Sequence, residues 1–216
     1  MKVICSFEEM KVLDIQKPKP EDVWDSNDVS LWESCWLNYE LHLQNSAKHN
    51  TNTFIVLDKW YYKTFPNVIK QQNCINLDQY IMMIQWKLNR GVYRPSLLKY
   101  ARAQDASAIL EASACVYTAL AAGDCCFDNV KEAINMFTKL KGVGVATASV
   151  LLSAMCPNVP FMSDELLRIV LRQPAKFKYS MSEYKLCYEQ AAQKAKFLGE
   201  SWTACKVERV LFALST

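Results

Sequence analysis

Apolar residues recur three and four positions apart through most of this chain, the spacing of one face of an α-helix. From Val29 to about His49, Leu31, Trp32, Trp36, Tyr39 and Leu43 keep this rhythm. Leu77, Ile81, Ile84 and Leu88 form a second stripe. Asn76, with Gln79 three residues later, has the spacing of a capping box, and Gly91 closes the run. Asp105 and Gly123 bracket a third helical stretch. Val130, Ile134 and Phe137 predict a helix over 129–140, and Ala148, Leu151, Leu152 and Met155 predict one over 147–155. Ser180 with Glu183 opens a further helix ending at Gly199, and Ser201 or Thr203 begins the last.

The interruptions are equally legible. Residues 1–30 read as an N-terminal arm, with "KPKPED" extended because each proline disfavours helix in the residue before it. "NSAKHNTNT" (45–53) is a loop by composition. Asp58 is placed to cap a helix, and Pro66 is expected to break or kink one. One stretch, "TFIVL" (53–57), is β-like but too isolated to build a sheet. The fold expected is therefore all-α, with eight to ten helices in a single globular unit over residues 31–216. A hydrophobic content of 51% supplies a sizeable core, and only five glycines favour helices over a turn-rich β fold.

Charge sharpens the picture by its distribution. The net charge is +3, but residues 1–84 carry −3 while 85–146 and 147–216 carry +3 each. A local excess of Lys and Arg attracts phosphates, although solvated helix faces give the same count. Nine cysteines are scattered without a C-x-x-C, and the histidines, His42 and His49, lie far from most of them. Neither a disulfide framework nor a zinc site is expected, and the cysteines read as small buried residues of a reduced compartment. No run has the apolar length of a membrane span, and the N-terminus lacks a signal-peptide core. The expectation is an intracellular protein, nuclear if it acts on DNA.

The richest segment is "KLKGVGVATASVLLSAMCPNVPFMSDELLRIV", where two short-linked helices meet at "KGVG". Gly142 and Gly144 permit positive φ and leave no side chain in the way. The amides around Gly142, Val143, Gly144 and Val145 are then expected to face outward at a helix start, where partial positive charge and unpaired donors hold a phosphate. Lys139 and Lys141 would add charge beside it, and Val143 would plug the hairpin into the core.

Together, "LKGVGVATA", the apolar helix after it, a proline-containing loop and "FMSD" resemble the helix-hairpin-helix DNA glycosylase superfamily, which includes endonuclease III. Leu140, Gly142, Val143, Gly144, Thr147 and Ala148 match its hairpin positions, and Asp164 falls at the family's distance for its aspartate. The likeness covers about residues 129–170. "WKLNRGVYRP" and "FMSDE" also resemble segments of a family of animal proteins, a likeness that carries no activity with it. The resemblance implies two helical lobes flanking a cleft, with 85–172 as the hairpin lobe and 31–84 plus 173–216 as the second. It implies hairpin amides gripping duplex DNA, a monovalent cation on hairpin carbonyls, and a flipped nucleotide in the cleft. There Asp164 would stabilise the cationic sugar formed as the N-glycosidic bond breaks, or orient a water.

Three positions depart from the family. Ala146 stands where bifunctional members carry the lysine that attacks the sugar, so a lyase step from that position is excluded. Only Cys187 and Cys205 lie near the C-terminus, so no iron–sulfur cluster is expected. Glu165 puts a second carboxylate beside Asp164.

Alternatives stay open at this point. "SDELLR" is also a helix start, with Ser163 as N-cap and acids in the first turn. In "QWKLNRGVYRPSLLKY", Lys87, Arg90, Arg94 and Lys99 suit either a nucleic-acid backbone track or a helix end followed by a loop, and Arg90 and Arg94 lie beside Gly91 and Pro95, where they could line a cleft. Its aromatics, Trp86, Tyr93 and Tyr100, suit either base stacking or packing. "WYY" (60–62) is expected in the core or an interface. The functions in contention are a DNA glycosylase without strand cleavage, a non-catalytic DNA- or RNA-binding module, and a helical protein-interaction protein.

Overall fold

The computed structural model describes residues 17–46, 51–91, 94–123, 125–173 and 176–216. Among these residues every regular element is helical, as the periodicity predicts. The N-terminal elements are α1 (Pro20–Asp25), α2 (Val29–Leu37), α3 (Tyr39–Gln44) and α4 (Asn52–Lys59). A π-helical turn (Trp60–Thr64) leads into α5 (Phe65–Gln72), followed by α6 (Leu77–Arg90), α7 (Pro95–Arg102) and α8 (Ala106–Ala122). The rest are α9 (Phe127–Phe137), α10 (Val145–Met155), α11 (Asp164–Leu171), α12 (Met181–Leu198) and α13 (Ala204–Ser215).

Caps set most boundaries. Asn76 and Gln79 form the expected capping box at α6, and Ser180 and Glu183 form a second at α12. Asp105 accepts from the Ser107 amide to open α8, and Thr203 opens α13. Gly91, Gly123 and Gly199 end α6, α8 and α12.

Several elements differ from the sequence reading. The extended "KPKPED" gives way at Pro20, which stands at the first position of α1. A proline costs nothing there, because its missing N–H would have no helical partner, and Glu21 and Asp22 favour the positive end of the helix. Val23 and Trp24 are buried, so residues 20–30 belong to the packed body and not to an arm; residues 1–16 lie outside the description. The run from Val29 breaks at Asn38 into α2 and α3. Pro95 likewise starts α7, a helix where the charge-and-aromatic pattern of 85–100 reads as a loop.

"TFIVL" is helical within α4, where Phe54 joins the core. Asp58 does not cap a helix but lies buried inside α4. Its carboxylate accepts from the Tyr39 hydroxyl (2.9 Å) and the Trp86 indole N–H (3.0 Å), which satisfy it in the interior. Pro66 does not break the chain either. A proline clashes with the carbonyl four residues back, and the wide π turn just before it relieves that clash, so helix continues into α5.

Packing centres on two helices. α13 lies against α1, α2, α3, α11 and α12, while α10 touches α5, α6, α9 and α12. α10 is buried all round, from Thr147 to Ala154. Tyr61, in the π turn, stacks on Trp86 with ring centroids 3.8 Å apart, and its hydroxyl donates to the Val150 carbonyl of α10. The expected lobes, 85–172 and 31–84 with 173–216, therefore share one continuous core through α10 and α13. No helix among the described residues is long and apolar enough to cross a membrane.

Candidate functional site

The hairpin is built by local sequence. α9 ends at Phe137, and the Leu140 carbonyl accepts from the Val143 amide at 3.1 Å, closing the turn. Gly142 has φ +77°, a conformation costing a side-chain-bearing residue about 1–2 kcal/mol. A Cβ there would also stand 2.9 Å from the Tyr100 ring. Gly142→Ala is therefore expected to lower stability by about 1–3 kcal/mol, measured as a fall in the urea midpoint. Val143 is buried beneath the turn, as the pattern predicts.

Gly144 is the N-cap of α10, with ordinary extended φ and no side-chain cap. Its carbonyl accepts from the Thr147 and Ala148 amides. The amides of Gly144, Val145 and Ala146 have no acceptor among the described residues, the arrangement that attracts an anion. Lys139 and Lys141 are exposed beside it, with the Lys141 ammonium 5.9 Å from the Tyr100 ring centroid. The Leu140 carbonyl serves Val143 and the Lys141 carbonyl accepts from the Gln104 amide, so a monovalent cation on those carbonyls would compete with both bonds.

Asp164 is the first residue of α11. Ser163 caps that helix, its hydroxyl accepting from the Leu166 amide at 3.2 Å, so Asp164 is not the N-cap. Its carboxylate instead accepts from the Tyr179 hydroxyl at 2.7 Å. Tyr179 has φ +51°, unusual for a bulky residue, and lies in the segment leading into α12. Burial, then the bond and charge of Asp164, push its phenol up to about 12, so it stays a donor at neutral pH.

One cleft of about 420 Å³ joins these parts. Gly142, Gly144, Val145 and Ala146 line it from the hairpin, Asp164 and Glu165 from α11, and Lys178 and Tyr179 from the segment before α12. α6 adds Lys87 and Arg90, the N-cap of α7 adds Arg94, and α7 adds Tyr100. The hairpin and Asp164, separate in sequence, thus face the same space. Val143, facing the core, and the exposed Lys139 and Lys141 are not among the lining residues.

The two arginines have different fates. Arg94 is exposed, its guanidinium 5.8 Å from the Tyr179 ring centroid, where it could meet a ligand at the mouth. Arg90 is 1% exposed. Its guanidinium pairs with Glu208, donates to the Tyr62 hydroxyl at 2.7 Å and stacks on Phe212 with 3.8 Å to the ring centroid. The sequence placed it as a nucleic-acid contact because a helix-ending arginine beside glycine looks accessible. The buried Glu208 on α13 claims it instead, and it forms the floor of the cleft. Burial raises the Glu208 carboxyl to about 7, more than the Arg90 charge takes back.

Lys87, one of the basic residues of 85–100 read as suited to a backbone track, lines the cleft half-buried. Two further groups escaped the sequence reading. Tyr179 owes its place to backbone geometry no motif records. Glu208 is an ordinary polar position of α13 until α6 brings Arg90 against it. Of the stacking candidates, Trp86 is buried, Tyr100 is exposed at the cleft and Tyr93 lies outside the described residues. "WYY" packs as expected, with Tyr61 fully buried. No group of His, Cys, Asp and Glu among the described residues could hold a metal, and the described cysteines are free thiols. No protein-family model, curated protein or solved structure matches the chain.

Proposed function

We propose that the chain binds duplex DNA in the manner of the helix-hairpin-helix glycosylases and releases a base through Asp164. The observation that carries this reading is one cleft lined by the unpaired amides of the α10 start and by the Asp164 carboxylate. The amides and Lys141 favour the backbone phosphate of a bound strand, with Arg94 and Lys178 as further cations at the mouth. A volume of about 420 Å³ accommodates a single nucleoside turned out of the stack. Asp164, oriented by Tyr179, supplies a fixed negative charge for the sugar cation that develops as the base leaves. Ala146 offers no amine from the hairpin.

A second reading, a non-catalytic DNA- or RNA-binding module, draws on the bond that already engages Asp164 and on Glu165 beside it. Both readings require salt-dependent binding. Fluorescence anisotropy with a labelled duplex should show affinity falling as salt rises. Gly144→Glu is the matched variant, because a side chain there meets nothing within 4 Å and the fold should survive. Its carboxylate beside the free amides is expected to weaken binding about tenfold or more. Binding by neither protein would leave the helical interaction protein. A panel of lesion-containing duplexes tests base release, and release from none would remove the glycosylase activity.

A further inference from the structure

Thr147, the third residue of α10, is 6% exposed and lines the cleft, and its hydroxyl has no hydrogen-bond partner among the described residues. A buried hydroxyl without a partner is costly unless a ligand completes it. It stands one turn beyond Gly144, so it adds a donor beside the open amides of Gly144, Val145 and Ala146. Lys87 from α6, Arg94 from the N-cap of α7 and Lys178 from the segment before α12 enter the same space. None of these three cations forms an ion pair among the described residues. Tyr100 and Tyr179 bring aromatic rings to the lining, and Asp164 brings a carboxylate. The volume, about 420 Å³, falls inside the roughly 300–1,000 Å³ of small-ligand pockets. A strand is held mainly by cations spread over a surface, whereas these groups converge on one point. Glu165 beside Asp164 opposes a second phosphate in the same space.

We propose that the cleft is a complete site for one nucleotide and takes a free 2′-deoxynucleoside 5′-monophosphate. The phosphate sits against the α10 amides and the Thr147 hydroxyl, with the three cations around its charge. The sugar faces Asp164, and the base lies against the tyrosine rings. This rests on the reading of the cleft as the seat of a turned-out nucleotide, and it narrows that reading. The gripped phosphate belongs to the seated nucleotide itself and not to a distant position of a strand, so the ligand needs no neighbours to bind.

Isothermal titration calorimetry of the full chain with the common 2′-deoxynucleoside 5′-monophosphates tests this, with the matching nucleosides and inorganic phosphate as controls. At least one nucleotide is expected to bind about tenfold or more tighter than its nucleoside and than phosphate, and to displace a labelled duplex. Thr147→Val keeps the shape of the side chain and should weaken nucleotide binding about tenfold or more while leaving the nucleoside unchanged. Thr147→Ser should restore it. A hydroxyl that mattered only to packing would move both ligands together, and unchanged nucleotide affinity in a folded Thr147→Val overturns the placement. If that variant does not fold, the contrast among nucleotide, nucleoside and phosphate in the unaltered protein decides alone. Phosphate binding as tightly as every nucleotide marks an anion site only and overturns the proposal, as does nucleotide binding that leaves the duplex in place. Salt-dependent duplex binding with no nucleotide binding at millimolar concentration overturns the proposal and leaves the duplex reading standing. Nucleotide binding without duplex binding keeps the proposal and removes the strand. Binding of neither overturns both.

Discussion

Arg90→Ala is expected to cost about 3–5 kcal/mol of folding stability, the loss typical when one partner of a buried ion pair is removed. The guanidinium is enclosed by Trp86, Phe161 and Phe212 and paired with Glu208, so truncation leaves both a cavity and an unpaired buried carboxyl. The pH dependence separates the two. Glu208 titrates at about 7 in the fold, above the roughly 4.3 of an unfolded glutamate. Its contribution to stability is thus complete below the unfolded value and is lost as pH rises through 7. Without the Arg90 charge its carboxyl is driven higher still, so the deficit of the variant should widen above pH 7. Urea unfolding at pH 6 and pH 9 measures this. Equal midpoints for variant and unaltered protein would return Arg90 to the surface role its sequence context implies.

Asp164→Asn is the second large effect. On the proposed glycosylase reading, base release should fall about 100- to 1,000-fold, as when a single group aimed at developing charge is removed. Asparagine still accepts from Tyr179, so the geometry survives, and duplex affinity should stay within about twofold. Stability should change by no more than about 0.3–1 kcal/mol, the value of one acidic residue in the first turn of α11. Single-turnover release from whichever duplex the panel identifies is the measurement. Unchanged release would assign Asp164 to the helix end alone.

The parts of the fold fixed by local rules were legible in advance. Capping boxes at Asn76 and Ser180 and glycine stops at 91, 123 and 199 act within a few residues of themselves. Misreadings arose where a local rule met a distant partner. Asp58 has the chemistry of a cap, but Tyr39 and Trp86 supply donors from other helices. Pro66 has the chemistry of a breaker, but a wide turn absorbs it. Pro20 and Pro95 have the chemistry of extended or loop chain, but both stand where a helix tolerates proline best.

The same division runs through the candidate site. The glycine pair and the spacing to Asp164 marked two of its walls, because the short helix α10 carries the chain from one to the other. Tyr179 and Glu208 could not be singled out, since their character comes from burial and from neighbours on other elements. Arg90 shows the converse, a residue whose local setting predicts exposure and whose tertiary partner removes it.

The bond from Tyr179 commits one oxygen of Asp164 before any visitor enters. The carboxylate has therefore surrendered its rotational freedom and offers its second oxygen from a single direction. A guest with a donor or a nascent cation on that side meets a charge that need not reorganise, while one presenting the same group elsewhere finds the acceptor already taken. Discrimination by angle of approach is thus set by a phenol fifteen residues away in the chain.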